Sequence, residues 1–213
     1  MKFIKTFLKK YPAILYAAWL PLYIGLFLLV QQIITPESGY VAAYLPIDDL
    51  IPFRPWFIVF YFLWFPFMAI TGFYLLFTDG QALKRNMVCL GWGFFAVLAL
   101  YFIIPSGQDL YPAAYGQDFF SRLVQWVHGF DSNVNVFPSG HVMGAVVTQF
   151  AIFDSARLRK WWILVPTTLL ATLICVSTVF VKQHSVIDLI ASALLCLGLY
   201  LAVYSSGKLK IES

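Results

Sequence analysis

Two of the three histidines in this 213-residue chain occur where a helix is predicted to begin. The first, His141, follows Phe137, Pro138, Ser139 and Gly140. Ser139 is a favourable N-cap residue, and the unpaired N–H groups of a first helical turn attract anions. The pentapeptide therefore predicts a phosphate-binding helix start with an imidazole beside it. Alternatively, Pro-Ser-Gly marks only a helix start, and His141 lies at a membrane interface by chance.

The second histidine belongs to the segment KQHSVID at 182–188. Asp188 follows His184 by four residues, so at a helix start the carboxylate can lie beside the imidazole. It would keep one ring nitrogen protonated and leave the other free to attack, as a histidine nucleophile requires. Ser185 and Asp188 also have the form of a capping box, which alone would explain both residues. The two interpretations are compatible.

The elements that position these residues are predicted to be membrane helices. Of the residues, 61% are hydrophobic and only 11% charged, and the mean hydropathy is +0.80. An ordinary soluble domain carries about 25% charged residues. Apolar stretches near twenty residues recur, long enough to cross a hydrocarbon core about 30 Å thick. We predict one all-α membrane domain over 1–213, with six spans at 11–34, 55–77, 88–104, 140–153, 161–181 and 186–204.

The basic residues predict the orientation, because Lys and Arg near helix ends remain cytoplasmic. With the N-terminus inside, three of the fourteen fall outside: Arg54, Arg122 and Lys182. The other eleven fall inside: Lys2, Lys5, Lys9, Lys10, Lys84, Arg85, Arg157, Arg159, Lys160, Lys208 and Lys210. We therefore expect both termini to be cytoplasmic and both histidine patterns to lie on the non-cytoplasmic face. Basic residues at helix ends, rather than along one polar face, argue against nucleic acid as a partner.

The long loop at 105–139 contains an amphipathic segment, 118–130, that is predicted to form a short helix lying in the interface. Gly129 is expected to end this helix. The apolar residues of the segment stand at helical spacing, namely Phe120, Leu123, Val124 and Val127. The helix either packs over the bundle or forms a rim where lipids enter. His128, within it, is predicted to have an ordinary interfacial role.

Two motifs resemble the second and third signatures of the phosphatidic acid phosphatase type 2 superfamily. They are the segment PSGH at 138–141 and the spacing Ser177-x6-His184-x3-Asp188. The resemblance covers about 53–204 and implies a six-helix membrane core. The resemblance further implies that His184 attacks phosphorus, that Asp188 orients the His184 ring, and that His141 protonates the leaving oxygen. It implies no metal or other cofactor.

The chain departs from this family at three cationic positions. Thr178 stands where the third signature has Arg, and alignment of the first signature on Pro112 places Ile104 at its Lys and Tyr111 at its Arg. A hydrogen bond to a charged group contributes about 1.5–3 kcal/mol, so either other groups compensate or the substrate carries less charge.

Three residues are candidates for that compensation: Lys182, Gln108 and Tyr111. Lys182 is the strongest because it stands two residues from His184, although a lysine that snorkels to lipid headgroups would look the same. The sphingolipid synthases for inositol phosphorylceramide and sphingomyelin, which belong to the same superfamily, also depart from the full phosphatase pattern.

The resemblance predicts a lipid phosphatase acting on a phospholipid or isoprenoid phosphate at the outer face of a bacterial plasma membrane. Ser139, the amides of Gly140 and His141, and Lys182 would stabilise the phosphoryl oxygens. One alternative is a phosphotransferase that passes a phosphate or headgroup between lipids. Another is a membrane protein that binds lipid without turnover. The sequence predicts no particular oligomeric state.

Overall fold

A computed structural model describes residues 2–205, and within them the chain is mostly helical. The α-helices are α1 Lys2–Lys10, α2 Leu20–Ile33, α3 Ile58–Thr78, α4 Gly80–Ile103, α5 Phe119–Phe130, α6 Gly140–Asp154, α7 Trp161–Phe180 and α8 Val186–Tyr200. Two short strands, β1 Val41–Ala42 and β2 Ser106–Gly107, pair in parallel. Lys208 and Lys210, used in the orientation argument, lie outside the described residues.

Within residues 2–205, five segments are long and apolar enough to cross a membrane: Pro12–Ile33, Pro55–Thr78, Gly80–Ile103, Trp161–Phe180 and Val186–Ser205. The predicted helical character is therefore confirmed, and the five apolar segments support a membrane protein. Helix α6 occupies the predicted fourth span but has only 15 residues. At 1.5 Å per residue it is about 22 Å long, shorter than the roughly 20 residues that usually cross a bilayer.

Two predicted boundaries are wrong. The predicted loop at 78–87 is mostly helical, because Asp79 caps α4 by accepting a hydrogen bond from the Ala82 N–H at 3.1 Å. Helices α3 and α4 are therefore joined by one residue. The first span is not one continuous α-helix, since a 3-10 turn at Pro12–Ala17 precedes α2. Proline removes a backbone donor, and here Pro12 and Pro21 each stand at the start of a helical segment.

Helix α6 lies at the centre of the bundle, packed against α3, α4, α7 and α8. It runs beside α4 for its whole length, because contacts join the two helices at both ends. At one end the Tyr101 hydroxyl donates to the Pro138 carbonyl at 3.1 Å. At the other, Arg85 and Asp154 form a salt bridge at 2.7 Å.

The two ends of the bundle differ in chemistry. At one end the Ser155 hydroxyl donates to Asp79 at 2.7 Å, so the turn between α3 and α4 meets the turn after α6. The basic residues Lys84, Arg85, Arg157, Arg159 and Lys160 surround these two turns. At the other end α6 and α8 begin side by side, and we call this the histidine end. Large apolar side chains such as Phe73 and Leu194 remain exposed on the flanks, as expected of surfaces that face lipid.

The predicted amphipathic helix is confirmed as α5. Asp118 caps it by accepting hydrogen bonds from the Phe120 and Ser121 N–H groups, both at 3.0 Å. The helix ends at Phe130, one residue beyond the predicted Gly129. Its buried side chains, including Val124, pack with residues at the start of α3. Helix α5 is thus packed over the histidine end, with Trp126 and Phe130 exposed on its opposite side.

Candidate functional site

The side chains of His184 and Asp188 meet at the start of α8, as their spacing predicts. His184 Nδ1 and Asp188 Oδ2 are 3.1 Å apart, and both side chains are buried. The same carboxylate oxygen accepts a hydrogen bond from the Ser185 N–H at 3.0 Å, which closes the capping box. One carboxylate therefore both caps the helix and fixes the ring. With the proton on Nδ1, the lone pair of His184 lies on Nε2.

A second buried carboxylate, that of Asp48, holds the turn that carries His184. Asp48 Oδ2 accepts a hydrogen bond from the Ser185 hydroxyl at 2.5 Å, and Oδ1 accepts one from the Val186 N–H at 2.9 Å. Its own loop is tied down because the Leu45 N–H also donates to Oδ2, at 2.8 Å. Asp48 therefore caps α8 from a loop more than 130 residues earlier in the chain.

Lys182 and Gln108 support this turn from the other side. Lys182 has a positive φ of 62°, and its Nζ donates to the Asp48 carbonyl at 2.8 Å. Gln108 Nε2 donates to the Lys182 carbonyl at 3.0 Å, while Gln108 Oε1 accepts from the Leu110 N–H. Burial lowers the pKa of Lys182, and the neighbouring acidic residues raise it less. Both predicted binding residues are thus engaged in shaping the loop.

His141 lies in the first turn of α6, among aromatic rings. The Ser139 hydroxyl caps this helix by accepting from the Val142 N–H at 3.3 Å. The His141 ring stacks on Tyr61, with centroids 4.0 Å apart, and contacts Trp64 at 4.5 Å. Among the described residues its Nε2 has no hydrogen-bond partner. A ring fixed by stacking, with a buried nitrogen left unpaired, is suited to exchange a proton with a bound molecule.

The helix starts that carry the two histidines are joined directly. The Ser139 N–H approaches the Asp188 carbonyl at 3.5 Å. The Ser192 hydroxyl bridges them further, because it contacts the Ser139 carbonyl at 3.0 Å and the Asp188 carbonyl at 2.7 Å. The two sequence motifs therefore form one site, held between α6 and α8.

Asp131, which the sequence analysis did not select, adds a further carboxylate to this site. It follows the last turn of α5, and its two oxygens accept from Gln31 Nε2 at 3.2 Å and from the Tyr61 hydroxyl at 3.5 Å. Burial raises the pKa of Asp131, whereas the nearby charge of His184 lowers it. Because Tyr61 also stacks on His141, Asp131 is connected to both histidines.

Tyr111, the third predicted compensating residue, packs inside the outer loop. Its hydroxyl lies 3.1 Å from the Asp131 carbonyl and 3.3 Å from Gln183 Oε1. Its ring stacks on His128 with centroids 3.8 Å apart and planes inclined by 4°. The Tyr115 hydroxyl lies 2.7 Å from His128 Nδ1. Tyr111 is therefore tied into the loop that covers the histidine end.

The residues that stand at the positions of the missing family cations make other contacts or none with charge. The Thr178 hydroxyl donates to the Cys175 carbonyl at 2.8 Å, inside its own helix. The Thr178 carbonyl accepts the N–H groups of Gln183 at 2.9 Å and His184 at 3.1 Å, which ends α7. Ile104 is 41% exposed and carries no charge. The site thus combines two histidines, several carboxylates and one lysine that already has a partner.

Sequence reasoning missed Asp48 and Asp131 because their partners are distant in the chain. Each did carry a local signal. Asp48 and Asp49 form an acidic pair in a loop beside apolar spans, where ionisable residues are costly unless they are used. Asp131 caps the C-terminus of α5, where the helix dipole favours a cation rather than an acid.

The arrangement holds one imidazole, that of His184, against a buried carboxylate, at a helix start joined to the one that carries His141. In comparisons with known proteins, no family model matches the chain, and neither does any curated protein.

We predict that His128 makes the protein less stable in acid. Burial lowers its pKa from the ordinary 6.5 to about 4, so the unfolded chain takes up a proton at a higher pH than the folded one. The contribution of neutral His128 to the free energy of unfolding is fully present above pH 6.5. It is lost as the pH falls towards 4, by about 3 kcal/mol in total. Denaturant unfolding in neutral detergent at several pH values measures this loss.

The matched variant is His128→Gln, whose amide oxygen can accept from the Tyr115 hydroxyl without titrating. Its free energy of unfolding should fall less over the same pH range, and the difference between the two proteins isolates His128. Equal pH profiles would contradict a buried neutral histidine.

Proposed function

We propose that this chain is a membrane lipid phosphatase that works through a phosphohistidine on His184. The observation that carries the proposal is the hydrogen bond between His184 and the buried Asp188, at a helix start joined to that of His141. The likeness of both motifs to the phosphatidic acid phosphatase type 2 superfamily supports it, and membership of that superfamily is part of the proposal.

In the first step, His184 Nε2 attacks phosphorus and the bond to the lipid oxygen breaks. Asp188 holds the Nδ1 proton and stabilises the positive charge that develops on the ring. His141, protonated on both ring nitrogens when the phosphate is bound, gives its Nε2 proton to the leaving oxygen and becomes neutral. In the second step a water molecule attacks the phosphohistidine, His141 takes up the proton of that water, and phosphate leaves from His184.

The helix starts would stabilise the phosphoryl oxygens during both steps. The first-turn N–H groups of α6, at Gly140 and His141, have no intrahelical acceptor and carry the positive end of the helix dipole. Lys182 can add charge, since only one of its three ammonium protons is engaged with the Asp48 carbonyl. Donors fixed before the reaction stabilise developing charge most effectively.

We further propose six crossings, with both termini in the cytoplasm of a bacterium and the histidine end outside. Three observations support this orientation: α6 runs beside α4 from end to end, α6 and α8 begin at the same end, and the basic turns lie opposite. Positive residues favour the cytoplasmic side.

Cysteine labelling from outside the cell tests the orientation. In a chain lacking Cys89, Cys175 and Cys196, we expect an impermeant maleimide to modify Ala114→Cys in the outer loop and to spare Ala156→Cys beyond α6. Both alanines are exposed, so accessibility alone does not separate them. Labelling of Ala156→Cys alone would place the histidine end in the cytoplasm.

Removal of the nucleophile should abolish the intermediate. We expect His184→Ala to lose acid-labile phosphate and essentially all turnover. Asp188→Asn should keep the nucleophile but lose about 10³–10⁴-fold in kcat, because the ring is no longer held in the attacking tautomer. Acid-quenched protein incubated with a ³²P-labelled lipid donor measures the intermediate, and phosphate release measures turnover.

Two further variants sharpen this comparison. Asp48→Ala should slow phosphorylation of His184, since the turn loses its cap, whereas His128→Gln should behave like the wild type. Turnover in His184→Ala, or turnover of the wild type without acid-labile phosphate, would overturn the histidine mechanism.

A second candidate function, transfer of a phospho-headgroup between lipids, is favoured by the charges of the site. Asp131 is a carboxylate near His184, and Lys182 is already hydrogen-bonded. A phosphate monoester approaches two negative charges near neutral pH, whereas a diester carries one. A site poor in cations should lose more affinity for the monoester. Diesters are the donors that headgroup transfer uses.

Product analysis separates the two functions. For hydrolysis, a phosphatidic acid donor should release free phosphate at the same rate whether or not diacylglycerol or ceramide is present. Lys182→Gln should lower kcat/KM for this monoester by about 10–100-fold and for a diester by less, because one charged hydrogen bond is lost. Labelled lipid as the dominant product, with negligible phosphate release, would replace the phosphatase by the transferase.

A further inference from the structure

An apolar groove opens on the flank of the bundle, below the histidine end. Its volume is about 380 Å³, and it lies between α3, α4 and the segment around Pro12–Ala17. The wall on α3 consists of residues spaced three or four apart, namely Phe65, Met68, Ala69, Gly72, Phe73 and Leu76. None of these residues carries a charge, so the groove offers its occupant an almost entirely apolar surface.

The groove is open because small residues face it on α3 and because the opposite wall is not a regular α-helix. A Cβ atom added at Gly72 would meet nothing within 4 Å, and Ala69 also lines the space. On the other side the chain turns through a 3-10 segment before α2 begins at Leu20. Both sides pack on α4, which forms the floor through Leu83 and Met87.

The upper end of the groove reaches the candidate site. Trp64 lines the groove and also contacts the His141 ring, with centroids 4.5 Å apart. The indole cannot move aside easily, since a Cβ at Gly144 in α6 would lie 2.8 Å from its Nε1. Trp64 therefore forms a fixed partition, with the imidazole on one side and the hydrocarbon groove on the other.

The dimensions of the groove suit one linear hydrocarbon chain. From Trp64 to Leu76 the wall extends twelve residues along α3, or about 18 Å at 1.5 Å per residue. A methylene group occupies about the volume of a water molecule in the liquid, roughly 30 Å³. The space thus accommodates about a dozen carbons. Phe65 and Phe73 at its margin are exposed on the flank, where membrane lipids supply such chains.

We propose that this groove binds one acyl chain of the lipid whose phosphate reaches His184. The lipid would place its phosphate at the histidine end and pass the chain along Trp64 towards Leu76. The identity of this lipid as the substrate rests on the proposed function, whereas chain binding in the groove does not. The chain length that fits would then be set by the small residues on α3.

The first test measures binding without turnover. Purified protein in lipid nanodiscs is irradiated with phosphatidic acid that carries a diazirine near the middle of one acyl chain, and the adducts are mapped by peptide mass spectrometry. We expect adducts concentrated on 65–76 in the wild type and reduced at least fivefold in Gly72→Leu and in Ala69→Leu. Gly25→Leu is the matched control, because Gly25 is an exposed helical glycine in α2, outside the groove, with nothing within 4 Å of an added Cβ.

The second test uses the same variants with donors of different chain length. Gly72→Leu should lower kcat/KM for a sixteen-carbon donor by about tenfold relative to an eight-carbon donor, while Gly25→Leu should leave the profile unchanged. Adducts spread evenly over the lipid-facing helices would overturn the proposal that the groove binds an acyl chain. Equal adduct yields in Gly72→Leu and Gly25→Leu would do the same. Adducts on 65–76 without turnover of any donor would keep the groove and overturn the proposed function instead.

Discussion

The structure of the histidine end depends on the carboxylate of Asp48, which closes the turn before α8. In an apolar surrounding, every backbone donor at a helix start needs an acceptor. Asp48 satisfies the Val186 N–H and the Ser185 hydroxyl, which leaves Asp188 free to satisfy the Ser185 N–H and to hold His184. Without the first carboxylate, the Val186 N–H and the Ser185 hydroxyl would lose the acceptor that they share. The orientation of the imidazole is therefore linked to the way in which the backbone N–H groups at this helix start are satisfied.

The parts of the site that the sequence predicts are those governed by local spacing. His184 and Asp188 are four residues apart, and Ser139 precedes a helix. In α5 the apolar residues recur every three or four positions, which predicts its buried face. Asp48 could not be predicted in its role, because its partners lie more than 130 residues away and only the packed fold brings them together. The start of α4 was misplaced for a related reason. Its first turns carry Lys84 and Arg85, which look like a loop but are stabilised by contacts with distant residues.

The charges of the site are arranged differently from what a phosphate site usually requires. Cations commonly neutralise a phosphoryl group, yet Asp48, Asp131 and Asp188 all lie near His184, with Lys182 beside Asp48. The carboxylates here hold loops and rings in place, and those of Asp48 and Asp188 already accept hydrogen bonds from donors at the start of α8. The start of α6, capped by the Ser139 hydroxyl, keeps the positive end of its helix dipole. Such a site depends more on exact placement of backbone amides than on side-chain charge, so small distortions of the helix starts should matter more than single charge changes.

The shortness of α6 has a consequence for the surroundings of His141. At about 22 Å, α6 is shorter than α4 with 24 residues and α7 with 20, and four helices pack around it. Its first turn therefore lies among the side chains of its neighbours, with Tyr61 and Trp64 of α3 against the imidazole. The polarity around His141 is set mainly by these aromatic side chains, so it should stay the same in membranes of different thickness or lipid composition.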